Sequence, residues 1–409
     1  MQKKLIVIGG GAAGFFCAIN AAILEPELQV LIIEKTSKVL QKVKISGGGR
    51  CNVTHACEDV EYLLKHYPRG KNFIKKLFYQ FGSADTIHWF SERGVALKTE
   101  PDGRMFPTTD NAQTIIDTFI ADMNRHGVQL QYNTEVKNIR KEQHQFYIET
   151  NQGILTTDYV CVASGGYPKT FLFDWIKNTG HSIEPPVPSL FTFNMPGHSL
   201  CTLMGVSVNS VQVQISGSNF KQQGPLLITH WGLSGPAVLK LSAWAARWLS
   251  GKNYQFNILI NWVPEYNITL LQQQFPIWQQ HFAKQKINGK NPLNLPNRLW
   301  HYFLNEASIP SDINWASVTA KQKNTLIQML TQYSCKIAGK TTYKDEFVTS
   351  GGIKLSEINA ATMESKLVPG LFFAGEITDV DGVTGGFNFQ YAWSSGYVAA
   401  NAIAESIKS

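Results

Sequence analysis

Apolar positions first run unbroken from Leu5 to Ile8, stop at Gly9-Gly10-Gly11, return with helical spacing from Ala12 to Leu24, and run again from Val30 to Ile33 before Glu34. Short apolar runs bounded by glycine predict buried strands, so the opening reads as a strand–helix–strand unit of an α/β fold. A Gly-rich loop follows at Ser46 to Arg50, then helix patterns around Phe73 to Phe81 and from Asp110, a candidate N-cap, to Gly127, a candidate C′ residue. Val128 to Tyr132, Phe146 to Thr150 and Tyr159 to Ala163 read as strands, the last entering Ser164-Gly165-Gly166, and Pro185-Pro186-Val187-Pro188 reads as a linker.

Beyond that linker the pattern changes. Val206, Val208, Val211, Val213 and Ile215 nearly alternate, which predicts a half-buried strand with one slip suited to a bulge. Gly235-Pro236 opens a Trp-rich helix, a strand is expected near Phe256 to Ile260, and a Gln/Asn/Lys-rich stretch reads as helical to about Lys336. The earlier character returns near Lys344, with a buried-type strand at Leu371 to Ala374 and a glycine pair leading into a long helix pattern over Gly385 to Ile407.

A length of 409 residues predicts about two to three domains. With 44% hydrophobic and 16% charged residues the composition is globular, and no run of eighteen apolar residues exists to span a bilayer. The first apolar run is broken by glycines and lacks a small-residue cleavage site, so a retained, cytoplasmic N-terminus is expected. Six cysteines without CxxC or zinc spacing argue against a disulfide framework and a structural metal. The formal charge of +7 is uneven: residues 191–344 hold thirteen Lys/Arg against Glu265, Glu306 and Asp312, a net +10, which leaves −3 for the rest. An anionic partner, RNA foremost, or a merely solubilising surface both fit this asymmetry.

Gly9-Gly10-Gly11-Ala12-Ala13-Gly14 satisfies GxGxxG between a strand and a helix, with Glu34 twenty positions after Gly14 at the end of the second strand. Here Gly9 supplies the tight turn, Gly11 lets backbone amides approach a pyrophosphate, Gly14 permits close helix–strand packing, and Glu34 accepts from ribose hydroxyls. That fingerprint serves FAD and NAD alike. The far end of the chain decides for FAD: Gly370-Leu371-Phe372-Phe373-Ala374-Gly375-Glu376 resembles the second FAD motif of glutathione-reductase-like flavoproteins, which implies that Glu376 meets the ribityl chain. Thr384-Gly385-Gly386-Phe387-Asn388 then puts a helix N-terminus under the flavin pyrimidine.

Four blocks carry a closer resemblance: Ser46-Gly47-Gly48-Gly49-Arg50-Cys51-Asn52-Val53-Thr54, Thr229-His230-Trp231-Gly232-Leu233-Ser234-Gly235-Pro236, Thr349-Ser350-Gly351-Gly352-Ile353 with Thr362 to Lys366, and Ala374-Gly375-Glu376 with Asp379 and Gly385-Gly386-Phe387-Asn388. Together they resemble the BaiN/YhiN-type bacterial NAD(P)/FAD-dependent oxidoreductases over essentially the whole chain. The resemblance implies a Rossmann-like two-dinucleotide-binding-domain FAD fold from residues 1–190 and 345–409, with an inserted β-rich and helical domain at 191–344. It further implies cofactor contacts from Lys35, Val136, Ala163, Gly165 and Gly166 beside the motif residues, and reduction of activated carbon–carbon double bonds. One such reaction in this family is uridine to dihydrouridine in large-subunit ribosomal RNA.

Such a reduction needs a hydride at one carbon and a proton at its neighbour. Cys51 is either that acid or a packed thiol, His230 either an acid from the insert or a satisfied polar group, and Arg50 either a partner for anionic flavin or substrate or part of a phosphate nest. No Cys-x4-Cys follows the first unit, so glutathione-reductase-type thiol chemistry is not supported, and no second GxGxxG appears, so NAD(P)H is expected as a transient reductant. Seven tryptophans (Trp231, Trp244, Trp248, Trp262, Trp278, Trp300, Trp315) lie in the insert, suited either to base stacking or, as for the helix pair Trp244 and Trp248, to a core stripe. Three functions compete: a flavin-dependent reductase of RNA, a small-molecule enone reductase or oxidase, and an RNA-binding flavoprotein of ribosome assembly without turnover.

Overall fold

A computed structural model describes residues 2–341 and 348–408. Lys344 and the expected 344/345 domain boundary lie outside the described residues. The chain forms two compact units, Met1–Ser189 with Tyr343–Ser409, and Leu190–Thr342.

In the first unit, strand β1 (Lys4–Ile8), helix α1 (Ala12–Leu24) and strand β2 (Gln29–Ile33) form the expected βαβ unit. The sheet is all parallel in the order 371–373, 159–162, β1, β2, 129–131. Its three central strands are apolar runs because they are buried on both faces, whereas the edge strand Gln129–Gln131 is polar and partly exposed. β1 sits centrally, so the ends of its neighbours converge on the turn that follows it. Helix α1 packs against the C-terminal helix Phe387–Lys408, and an added Cβ at Gly396 would lie 2.8 Å from Ala13 O.

Two local readings in this unit are corrected. Asp110 is not an N-cap: it has φ 53° and its carboxylate pairs with Lys98, while Asn111 caps the helix Ala112–Arg125 by accepting from Gln113 N. The proline run is not a linker but part of the strand Ile183–Ser189, paired antiparallel with Val348–Ile353 across a bulge between Glu184 and Val187. A two-stranded ribbon tolerates prolines because ladder positions without a donor can face outward. The expected strand Phe146–Thr150 is the middle of a three-stranded antiparallel sheet (Gln145–Thr150) whose outer strands, Val136–Glu142 and Gly153–Thr157, the sequence concealed.

The second unit is built on a seven-stranded antiparallel sheet in the order 333–338, 255–261, 207–215, 221–228, 232–234, 192–194, 340–341. The expected slip is a bulge between Val208 and Val211. The Gln/Asn/Lys-rich stretch is helical only to Gln332; Tyr333–Ala338, alternating buried and exposed, is the edge strand of this sheet. Period-2 burial overrides composition there. Trp262, Trp300 and Trp315 are at most 1% exposed and Trp278 9%, so these four fill the core and are closed to base stacking. Trp248 is half-buried against the same core, and Trp231 donates its indole N–H to Thr192 Oγ1 (3.1 Å).

Candidate cofactor and active site

The turn after β1 separates the roles of its three glycines. Gly9 has φ 113°, and a Cβ there would lie 2.5 Å from Ala163 O, while one on Gly14 would lie 2.0 Å from Gly9 O. Both are closed by protein packing. At Gly11 (φ −94°) an added Cβ meets no protein atom within 4 Å, and no side chain caps the start of α1. Backbone donors on an uncapped helix N-terminus, with the positive end of the helix dipole behind them, suit a diphosphate. Glu34 is held in place before any ligand meets it: Oε2 accepts from Gly10 N (2.9 Å) and Oε1 from Thr36 N and Oγ1 (both 2.9 Å). Lys35, beside it, lies 5.6 Å over the Tyr167 ring, and Val136 opens its strand half-buried.

A second edge gathers around Glu376. Its Oε1 accepts from Thr349 N (2.9 Å) and its Oε2 pairs with Lys42 Nζ (2.5 Å), a residue of helix α2 (Gln41–Gly49) that sequence reasoning missed. Gly166 passes so close that a Cβ would lie 2.5 Å from Thr349 Oγ1 and 2.8 Å from Glu376 Oε1, and one on Gly375 would lie 2.8 Å from Ala13 Cβ. The hydroxyls of Ser164, Thr349 and Ser350 are buried with no hydrogen-bond partner among the described residues. Buried unpaired hydroxyls are costly unless something accepts or donates to them. With the open face at Gly11, they suit a ligand carrying a diphosphate and a polyol, which FAD is. Asp379 follows on the same segment, its N–H donating to Ile353 O (3.1 Å).

The third edge joins two glycine loops some 330 residues apart. The end of α2 is not helical: Gly47, Gly48 and Gly49 take φ of 59°, 70° and 85°, a course open to glycine. Trp393 Nε1 donates to Val53 O (2.9 Å), Thr54 Oγ1 to Gln390 Oε1 (2.5 Å), and a Cβ on Gly386 would lie 2.5 Å from Thr54 O. With its amide oriented to satisfy both neighbours, Asn52 accepts from Gly386 N (2.9 Å) and donates to Thr54 O (3.1 Å). His55 Nδ1 lies 3.3 Å from Gly385 O. Phe387 stacks on His66 at 4.2 Å, and Asn388 closes its own loop through Gly382 N and O (2.8 and 2.9 Å), so both side chains are committed to holding the loop.

The candidate catalytic residues fare differently. Arg50 turns to Glu100 (2.7 Å) and Asp110 (3.5 Å) and lies 4.0 Å over the Phe106 ring, so its charge is already neutralised. Cys51, at φ 62°, is fully enclosed, and burial pushes its thiol up to about 12. It is a neutral packing group with no open path to a substrate. His230, in the second unit, is exposed on the turn between two strands, edge-on to Trp231 (4.4 Å), above a Thr229–Gly232 hydrogen bond (2.8 Å). Among the described residues no His/Cys/Asp/Glu group could hold a metal, and no helix is long and apolar enough to cross a membrane.

Residues 3–402 match the family described as HI0933-like protein Rossmann domain. The chain is 31% identical to the ribosomal RNA dihydrouridine synthase of Escherichia coli (strain K12), covering 97% of this chain and 96% of that one. It is 26% identical to the 3-dehydro-bile acid delta(4,6)-reductase of Clostridium scindens, over 99% and 100% of the two chains. Among solved structures, a flavocytochrome c3 fumarate reductase superposes with a TM-score of 0.52 at 17% identity, covering 99% of this chain and 78% of that one, which shows the shared fold. The chain therefore belongs to the HI0933-like Rossmann family and is an FAD-dependent oxidoreductase.

Proposed function

We propose that this HI0933-like protein reduces an activated carbon–carbon double bond, and that its substrate is uridine in large-subunit ribosomal RNA, giving dihydrouridine with NAD(P)H as the transient reductant. The carrying observation is the full-length similarity to a ribosomal RNA dihydrouridine synthase. Bound FAD supplies the hydride. The chain's part would be to hold that cofactor: backbone donors at Gly11 to Ala13 would hold the diphosphate, Glu34 a ribose, and Glu376, set by Lys42 and Thr349, the ribityl hydroxyls. The amide-bearing start of the helix at Phe387 would favour negative charge on a flavin bound against it.

The test is the dihydrouridine content of large-subunit ribosomal RNA from a strain lacking this gene. Loss of the base, restored by the wild-type gene, supports the reading, and an unchanged content sinks it. A second reading, reduction of a small unsaturated ketone, is favoured by the similarity to the bile acid reductase. Turnover of such a ketone together with normal dihydrouridine content would select it.

A further inference from the structure

The lysines of the second unit are not scattered. Segment 283–290, which carries Lys284, Lys286 and Lys290, is zipped to segment 313–318: Trp315 N donates to Gln285 O (3.0 Å), Ile287 N to Ile313 O (3.0 Å), and Lys286 bridges Asn314. The helix that begins directly afterwards, Ala320–Gln332, carries Lys321 and Lys323 in its first turn and has no acidic residue along its length. Backbone pairing thus brings five lysines that are distant in sequence onto neighbouring elements. Lys284, Lys286, Lys290 and Lys321 are exposed and Lys323 half-buried, and none joins an ion pair among the described residues. Across 281–323 the acids are Glu306 and Asp312, and the histidines His281 and His301 add no negative charge.

Buried tryptophans hold this surface rigid. Trp300 Nε1 donates to Ile287 O (3.0 Å) and Trp315 Nε1 to Lys290 O (3.2 Å), with the two rings 6.3 Å apart and nearly parallel at 20°. Their indole N–H groups fix the backbone from which the lysines project. The helix start itself is not the anion site, because Thr319 and Gln322 form a capping box that engages its end groups. The charge is therefore in flexible side chains on a fixed frame, which neutralises phosphates without reading sequence.

We infer that the Lys284–Lys290 segment and the first turn of the helix Ala320–Gln332 form one docking face for the phosphodiester backbone of structured RNA. The inference rests on the reading of the substrate as ribosomal RNA. Five lysines against one exposed acid beside the paired segments, Asp312, favour a regular polyanion over a protein surface of mixed charge.

The test uses full-length holoprotein and large-subunit ribosomal RNA purified from the deletion strain. Three variants are compared: Lys284→Glu/Lys286→Glu/Lys290→Glu, Lys321→Glu/Lys323→Glu, and a control of the first unit, Lys65→Glu/Lys71→Glu/Lys76→Glu. Affinity is measured across a salt series, with flavin content and reduction of a small unsaturated ketone as checks on folding. Each lost phosphate contact should lower the salt slope by about 0.9, hence by about 2.7 for the triple and about 1.8 for the double variant, with a much smaller change in the control. Wild-type affinity and slope in the triple and double variants would overturn the docking face while leaving the substrate reading standing. An equal loss in the control would show that net charge, not this face, binds RNA. Equally tight binding of polyglutamate competitor would overturn the assignment to RNA. A wild-type protein that restores dihydrouridine in cells yet binds this RNA without salt dependence would likewise overturn the inference alone.

Discussion

Gly11 and Gly14 lie three residues apart in one turn, yet their replacement by alanine should break different things. A Cβ on Gly14 would lie 2.0 Å from Gly9 O, 3.2 Å from Gly9 C and 3.4 Å from Val7 Cγ1, and real Cβ contacts do not fall below 3.0 Å. Helix α1 must therefore move off β1 by about 1 Å, an overpacking that costs about 1–3 kcal/mol. At roughly 2–4 °C per kcal/mol for a unit of this size, Tm of Gly14→Ala apoprotein should fall by about 2–12 °C. Gly11 has φ −94° and ψ −170°, which any residue adopts, and its Cβ meets nothing within 4 Å. Gly11→Ala should leave the apoprotein as stable as wild type, or about 0.4–1 kcal/mol more so through the lost freedom of its unfolded chain. Its methyl instead stands against the diphosphate, and an overlap of about 1–3 kcal/mol weakens FAD about 5- to 150-fold. Thermal unfolding of the apoproteins and flavin titration, run on both variants, separate the two effects. A Gly11→Ala protein that binds FAD at the wild-type Kd would refute the placement of the diphosphate, and an unchanged Tm in Gly14→Ala would refute the packing account.

Other consequences are as specific. Cys51→Ala should keep its FAD and most of its turnover, because the thiol is enclosed; a tenfold fall in kcat with FAD retained would return Cys51 to an acid role. Burial raises the thiols of Cys51 and Cys335 from 9.0 to about 12, so the protonated forms stabilise the fold fully below about pH 9 and that stability is lost as pH climbs towards about 12. Urea unfolding of wild type should weaken across that window and of Cys51→Ala/Cys335→Ala less; parallel curves would refute this. Arg69→Met deprives the fully buried Asp381 carboxylate of its cation and should cost about 3–5 kcal/mol, read by denaturant unfolding, where a loss below 1 kcal/mol would refute it. Trp315→Ala empties a fully buried site and should cost the second unit about 3–5 kcal/mol while FAD content holds, and a joint loss of both would show that the site depends on that core.

What the sequence made legible follows the physics that is local in it. Glycine spacing between an apolar strand and a helix fixes the βαβ unit, so Ala12 to Leu24 came out with its observed ends. The bulge near Val208 was visible because a slip in a period-2 pattern flips the buried face. The proline strand Ile183–Ser189 was illegible because its partner, Val348–Ile353, lies across the whole second unit in sequence and its prolines mimic a linker. Tyr333–Ala338 was hidden because it follows the helix ending at Gln332 with no glycine or proline between them, although every second residue is buried.

The site divides along the same line. Residues whose role lies in backbone conformation, such as Gly9, Gly14 and Gly386, announce themselves, since φ or contact distance admits nothing larger. Residues whose role lies in a partner do not. Lys42 reads as one more lysine at a helix start until Glu376 stands 2.5 Å away, and Arg50 reads as a free cation until Glu100 and Asp110 take its charge. Cys51 shows the same limit for burial: the loop Ser46 to Thr54 puts a thiol beside three glycines, where sequence leaves an acid and a packed thiol both open, and Trp393 and Gln390 anchor that loop from far along the chain while the thiol is enclosed. The tryptophans show which of two open readings holds. Interleaved with lysines they suit either base stacking or a core, and Trp300 and Trp315 take the core, spending their N–H groups on Ile287 and Lys290 carbonyls. On the proposed docking face, recognition of RNA would then fall to lysines on a frame of buried tryptophans, which predicts strong salt dependence and little preference among bases there, so that on this reading the choice of one uridine comes from elsewhere in the protein and from the shape of the RNA.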